Sequence, residues 1–340
     1  MKIKTGDHAM LYALINKLPK AELHLHIEGS LEPELMLQLA VKHGVPLPYT
    51  SIEQVREAYN FNNLQSFLDL YYLGASVLRD EDDFYQLMWA YLCRCKEDNV
   101  VHTEIMFDPQ THTERGLGFE VFMPGFKRAM DKAQTEWGQS SLLIMSFLRH
   151  MSEQSAVDTL DAAAAYLPMI TAVGLDSAEL GNPPEKFTRV FAKAKKLGLL
   201  RVAHAGEEGP PAYVWGALNA LDVDRIDHGV RSVEDAELME VLKRRQTPLT
   251  VCPLSNIKLR VFDDMGQHNI LHLLEQGLLV TVNADDPSYF GGYLNANFNA
   301  LIDNLAITSE QLKTLATNSF KASFLDEASK ALWIDNIRAC

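Results

Sequence analysis

Four short segments of this chain set imidazoles and carboxylates where a divalent cation could be held or a proton moved. His24 and His26 lie two residues apart in Ala21-Glu22-Leu23-His24-Leu25-His26-Ile27, and on a β-strand that spacing turns both side chains to one face. His204 precedes Ala205-Gly206-Glu207-Glu208, His228 follows Asp227, and Asp285 and Asp286 follow Val282-Asn283-Ala284. Three imidazoles and one carboxylate (His24, His26, His204 and Asp285) suit a borderline ion such as zinc, one per chain, with water completing the shell. Such an ion lowers the pKa of its water to about 7 and so makes a nucleophile at neutral pH. A lone histidine is more often a hydrogen-bonded core or surface residue, the reading given to His8, His43, His102, His112, His150, His268 and His272. The other four stand apart because each ends an apolar run and has acidic neighbours.

Those runs are the elements that must position the site. Short stretches rich in β-branched and aliphatic residues recur at 21–27, 100–107, 141–147, 170–176, 199–204, 224–228, 248–252 and 278–283. Amphipathic stretches such as 186–197 and 233–245 separate them. Alternation of strand and helix implies a parallel sheet, and eight strands imply a closed α/β (β/α)8 barrel of the TIM type. The C-terminal strand ends of such a barrel converge on one mouth, so His24, His26, His204, His228, Asp285 and Asp286 can meet. Residues 31–98 break the simple repeat: they are long and helix-like, including 64–78 and 84–95. An insertion after the first strand would stand at the mouth and could form a lid, with its Phe, Leu and Tyr residues also packing a helical subdomain. No linker or repeat marks a boundary, so 1–340 reads as one domain carrying that insertion.

Composition bounds the function. The chain has 340 residues, 47% hydrophobic and 22% charged, enough for one large core. A formal net charge of −14 argues against a nucleic-acid partner, which needs a basic face, and favours a small neutral or cationic substrate. Cys93, Cys95, Cys252 and Cys340 are too few and too scattered for a disulfide scaffold and read as reduced thiols. No apolar run approaches the ~18 residues of a membrane span. The short apolar stretch Met10–Ile15 is soon followed by Lys17 and Lys20, unlike a secretory leader. A cytoplasmic location is the expectation.

Taken in order, Glu22-Leu23-His24-Leu25-His26-Ile27-Glu28-Gly29-Ser30, His204-Ala205-Gly206-Glu207, Asp227-His228-Gly229, Cys252-Pro253-Leu254-Ser255-Asn256 and Asn283-Ala284-Asp285-Asp286-Pro287 resemble the adenosine/adenine deaminases of the amidohydrolase superfamily. The resemblance spans nearly the whole chain. The cytidine-deaminase type of zinc site is different, since it needs a Pro-Cys-x-x-Cys element absent here. The resemblance implies that His24, His26, His204 and Asp285 are zinc ligands and that Glu207 gives a proton to purine N1. It also implies that His228 orients the attacking hydroxide and that Asp286 fixes the N7 edge. The chemistry agrees: attack at C6 builds charge on N1, and a carboxylic acid kept neutral in a dry pocket can protonate it.

Within the family, the nucleoside branch carries Asp after its His-x-His-x pair, where it holds a ribose hydroxyl. This chain has Glu28, whose extra methylene would reach into the space a sugar needs. The segments 108–113, 204–211 and 286–292 resemble the adenine deaminase branch, and Asp176-Ser177-Ala178-Glu179 departs from the glycine-bearing segment of the nucleoside enzymes. Glu179 is then either a contact to the N3/N9 edge of a free base or a loop carboxylate in water. The expectation is hydrolysis of free adenine to hypoxanthine and ammonia, a purine-salvage step, with a small-molecule purine as partner and no nucleic acid or membrane. The competing readings are an adenosine or N6-substituted purine deaminase, a metal-dependent phosphoesterase, or a silent zinc-binding barrel. The acidic balance disfavours the second, and the intact Glu207, His228 and Asp286 set disfavours the third.

Overall fold

The computed structural model describes residues 5–340. Its strands are β1 (Lys20–His26), β2 (Val100–Phe107), β3 (Ser140–Leu148), β4 (Ile170–Asp176), β5 (Leu200–Ala205), β6 (Arg225–His228), β7 (Leu249–Val251) and β8 (Val280–Val282). Each pairs in parallel with the next, giving the order β1 to β8. All eight expected strands are present, and the TIM-type barrel is the fold. Every strand feeds a helix on the outside, as parallel pairing requires.

Closure between β8 and β1 is made differently from the other seven pairings. One isolated parallel bridge joins Leu25 to Asp285. There the Asp285 amide donates to the His24 carbonyl at 3.0 Å and the His26 amide donates to the Asp285 carbonyl at 3.0 Å. Lower down, side chains replace the ladder: the Leu23 amide donates to Asn283 Oδ1 at 3.1 Å and the Ala284 amide to Glu22 Oε1 at 3.1 Å. The seam of the barrel therefore runs through three of the expected metal ligands. Beneath them the interior is charged: Arg225 donates to Glu104 at 2.6 Å and to the Leu23 carbonyl at 3.0 Å, with both side chains fully buried.

The 31–98 interval holds helices Pro33–His43, Ile52–Ala58, Leu64–Ala75 and Glu81–Glu97. The third, Leu64–Ala75, stands at the barrel mouth. Asn63 and Ser66 cap its start reciprocally, and Leu64, Phe67, Leu68, Tyr71 and Tyr72, at helical spacing, face the barrel mouth. Phe67 packs its ring 4.7 Å from Phe290 and 5.4 Å from Tyr289, which fastens this helix to the segment just after Asp286. The fourth helix packs along the outer helix Phe119–Trp137 and β2, so it belongs to the barrel's outer ring.

Candidate active site

The C-terminal strand ends bring His24, His26, His204 and Asp285 together, all four buried, with one ligand atom from each lying within 4.8 Å of the others. Asp285 Oδ1 is 3.2 Å from His24 Nε2 and 3.3 Å from His26 Nε2. His26 Nε2 lies 3.2 Å from His204 Nε2, a close approach of two ring nitrogens that a shared cation explains. The far nitrogens carry the other half of the case. His24 Nδ1 is 2.9 Å from Thr250 Oγ1, which itself donates to Asp227 Oδ1 at 2.9 Å. His26 Nδ1 is 3.3 Å from Asp176 Oδ2, and His204 Nδ1 is 3.4 Å from Asp227 Oδ2. Oxygen partners at Nδ1 hold the proton there and leave each Nε2 lone pair facing the shared space, as a histidine metal ligand requires. His24 Nε2 has no hydrogen-bond partner among the described residues. The donor set, three imidazoles plus one carboxylate, fits zinc.

Beside this cluster, Glu207 Oε2 is 3.4 Å from His228 Nε2, which is 3.8 Å from Asp285 Oδ2. Burial, and then the nearby Asp285 charge, push the Glu207 carboxyl well above the usual carboxylate range. Burial, and then the His24 imidazole, hold His228 well below the usual histidine value. Both shifts run the same way, toward an uncharged carboxyl beside an uncharged imidazole. Both His228 and Asp285 hold the left-handed backbone, at φ 64° and 63°, a conformation that costs of order 1–3 kcal/mol at a non-glycine residue and that the surrounding fold imposes. Asp286 is also buried, and burial together with Asp285 raises its carboxyl well above the ordinary value. Its Oδ1 has no hydrogen-bond partner among the described residues. A Cβ on Gly29 would stand 1.8 Å from that oxygen, so the glycine after Glu28 is what admits the Asp286 side chain.

His26, His204, Glu207, His228, Asp285 and Asp286 all line one cavity under the helix Leu64–Ala75. Two expected substrate contacts do not line it. Glu28 Oε1 accepts from His112 Nε2 at 2.8 Å and from the Asp108 amide at 3.2 Å, and Oε2 accepts from Tyr71 at 3.3 Å. The carboxylate is held by its neighbours behind the wall rather than extended into sugar space. Glu179 is neither in water nor at the cavity: it is buried, and its carboxylate accepts from the amides of residues 206–209. Residues that sequence reasoning left out do line the cavity, among them Tyr71, Asp108 and Asp176. Tyr71 donates to Asp108 Oδ2 at 2.8 Å. Burial, and then the Asp176 charge, push the Asp108 carboxyl well above its usual range. Asp176 ends β4 and Asp108 directly follows β2, so the strand-end rule that selected the histidines could have found both.

A family model described as adenosine deaminase matches residues 19–340. The chain belongs to the adenosine deaminase family. A family relative described as adenine deaminase, from Acinetobacter baylyi, is 60% identical over 324 residues, covering 95% of this chain and 98% of its own length. The crystal structure of adenine deaminase from Arthrobacter aurescens superposes with a TM-score of 0.93 at 49% identity, over 95% of this chain and 98% of that one. The crystal structure of an amidohydrolase from Burkhoderia ambifaria with bound zinc superposes with a TM-score of 0.89 at 25% identity, over 100% and 93% of the two chains.

Proposed function

We propose that this chain hydrolyses adenine to hypoxanthine and ammonia, replacing the C6–N bond with a C6–O bond, with one zinc ion held by His24, His26, His204 and Asp285. One arrangement carries the reading: a buried Glu207 carboxyl, its pKa pushed up by burial, facing His228 beside a cluster of three imidazoles and a carboxylate at one cavity. The name of the Acinetobacter relative supports adenine as the substrate, and the zinc in the Burkhoderia structure supports the metal. A zinc ion at these four side chains would lower the pKa of a water to about 7. Glu207 then donates its proton to ring N1 as charge develops there, a transfer that typically contributes 10²- to 10⁴-fold in rate. His228, uncharged, accepts from the attacking water and turns it toward C6. Asp286, with Oδ1 unpartnered, takes the N7 edge of the ring. Leu64, Phe67 and Phe290 close the cavity and exclude bulk water, which strengthens each of these contacts.

Discrimination against ribose falls to Tyr71 and Asp108 rather than to direct contact by Glu28. These two come from the helix Leu64–Ala75 and the β2 end, a different arc of the mouth from Glu207 and His228, and Glu28 together with His112 fixes them in place. Ammonia release from adenine, adenosine, 2′-deoxyadenosine and a phosphate ester panel tests the assignment. The expected result is a kcat/KM for adenine at least about a hundredfold above that for adenosine, about 2.7 kcal/mol of differential transition-state stabilisation. Equal rates on base and nucleoside would overturn the substrate, and hydrolysis of the esters would overturn the reaction class.

A further inference from the structure

We infer that Glu179 is a positioning residue that holds Glu207 in place, by collecting the backbone amides of the segment that carries it. Glu179 Oε1 accepts from the Gly206 amide at 2.7 Å, and Oε2 accepts from the amides of Glu207 at 3.2 Å, Glu208 at 2.8 Å and Gly209 at 2.8 Å. These residues lie after β5 ends at Ala205 and before the helix that begins at Pro211, so neither ladder nor helix is available to their N–H groups. Three of the four residues are buried, and a buried amide without an acceptor costs about 1–3 kcal/mol. A carboxylate has roughly four lone-pair sites, two on each oxygen; three amides crowd Oε2 and one meets Oε1, so the group is committed to this segment rather than to a substrate edge. Charge-assisted bonds of this kind are also shorter and stronger than neutral ones. Gly209 permits the approach, since a Cβ there would meet Glu179 Oε1 at 2.5 Å.

The carbonyl side of the same segment is tied elsewhere. The Arg231 amide donates to the Gly206 carbonyl at 2.9 Å and the Arg231 guanidinium to the Glu208 carbonyl. Glu179's own loop is anchored in turn: Arg149 donates to the Asn182 carbonyl at 2.7 Å and to the carbonyl of His204 at 2.6 Å. One network thus sets the β5 end, where a metal ligand and the proton donor stand three residues apart. The inference rests on the role given above to Glu207, and its action is on orientation: Glu179 touches no reacting atom.

The test is Glu179→Gln, with Glu179→Asp as the conservative partner, followed by adenine kinetics, metal content and amide hydrogen exchange at residues 206–209. A glutamine offers one oxygen and turns an NH2 toward amide donors. We expect kcat to fall by about tenfold to a hundredfold, the scale of a small misplacement of a reacting group. KM should stay within about threefold, metal content should be unchanged, and the four amides should exchange faster. Glu179→Asp keeps the charge but has a shorter reach, so the same pattern should appear at smaller amplitude; it is the variant read if Glu179→Gln does not fold. A raised KM with normal kcat would mean contact with substrate, and faster exchange with normal kcat would mean a purely structural role; either overturns the inference. Failure of the unaltered protein to release ammonia from adenine would instead sink the substrate reading, while the exchange measurement would still decide whether Glu179 holds the segment.

Discussion

The proton donor is separable from the metal site at the level of single atoms. Glu207 Oε1 has no hydrogen-bond partner among the described residues and Oε2 faces His228, so Glu207→Gln keeps the shape and leaves the ligand cluster untouched. That variant should retain its metal and lose turnover by about 10²- to 10⁴-fold; near-normal kcat in a metal-loaded variant would remove Glu207 from the mechanism. The sign of the pH dependence follows from the same burial. The proposed mechanism needs the protonated carboxyl, and the Glu207 pKa is raised, so kcat should be lost as pH rises through that elevated value rather than through the ordinary carboxylate range. Asp286→Asn should both raise KM and lower kcat, because it replaces the buried carboxyl proposed to meet the N7 edge with an amide that carries one acceptor oxygen and an NH2 needing a partner in a dry cavity. Residue types and strand-end placement picked out His24, His26, His204 and Asp285, which the fold does bring together, while the roles proposed for Glu207, His228 and Asp286 came from the family resemblance. Glu28 and Glu179 were not legible in their roles, since whether a loop carboxylate meets substrate or a backbone amide depends on a chain path that spacing does not encode. Asp108 and Asp176 carried a usable signal, their position at strand ends, but no histidine spacing drew attention to it.

At the level of elements, the eight strands were readable because each lies in a short run rich in aliphatic or β-branched residues bounded by helical stretches. The last two are shorter than their apolar runs, Leu249–Val251 within 248–252 and Val280–Val282 within 278–283. At the end of β8 the side chain of Asn283 takes over from the ladder. Its Oδ1 accepts from Leu23, and its Nδ2 donates to Thr281 Oγ1 at 2.9 Å. This places a stability prediction at the seam. Asn283→Ala strands the buried Leu23 amide and should lower stability by about 1–3 kcal/mol. It should also weaken metal retention, because the Asp285 backbone that follows is what aligns His24 and His26. A melting and metal-retention measurement checks both, and loss of stability with unchanged metal affinity would separate the seam from the site. Within 31–98 the helices Glu81–Glu97 and Leu64–Ala75 both bury one apolar face, and only the partner, the outer helix Phe119–Trp137 for one and the cavity for the other, distinguishes them.

For the molecule as a whole, charge and metal are linked. The chain carries a formal net charge of −14, and Asp176, Glu207, Asp227, Asp285 and Asp286 are all buried near one another at the barrel mouth. Among the described residues no helix is long and apolar enough to cross a membrane. A divalent cation among these carboxyls offsets mutual repulsion that the fold otherwise has to absorb. On the proposed assignment it would bind only the folded chain, since His24, His26, His204 and Asp285 come from β1, β5 and the segment after β8, while the unfolded chain keeps only the local His24–His26 pair. Free metal at a hundred times its dissociation constant therefore stabilises the fold by about 2.7 kcal/mol. With an unfolding entropy of about 2.1 cal/mol/K per residue over 340 residues, that converts to a melting shift of about 4 °C. Dialysis against a chelator should lower Tm by about this amount and abolish ammonia release, and stoichiometric zinc should restore both. His204→Ala, with one ligand gone, should melt close to the chelated protein and respond little to added zinc. A chelated protein that melts where the loaded one does would show that the four side chains hold no ion tightly, and the metal assignment would fall with it.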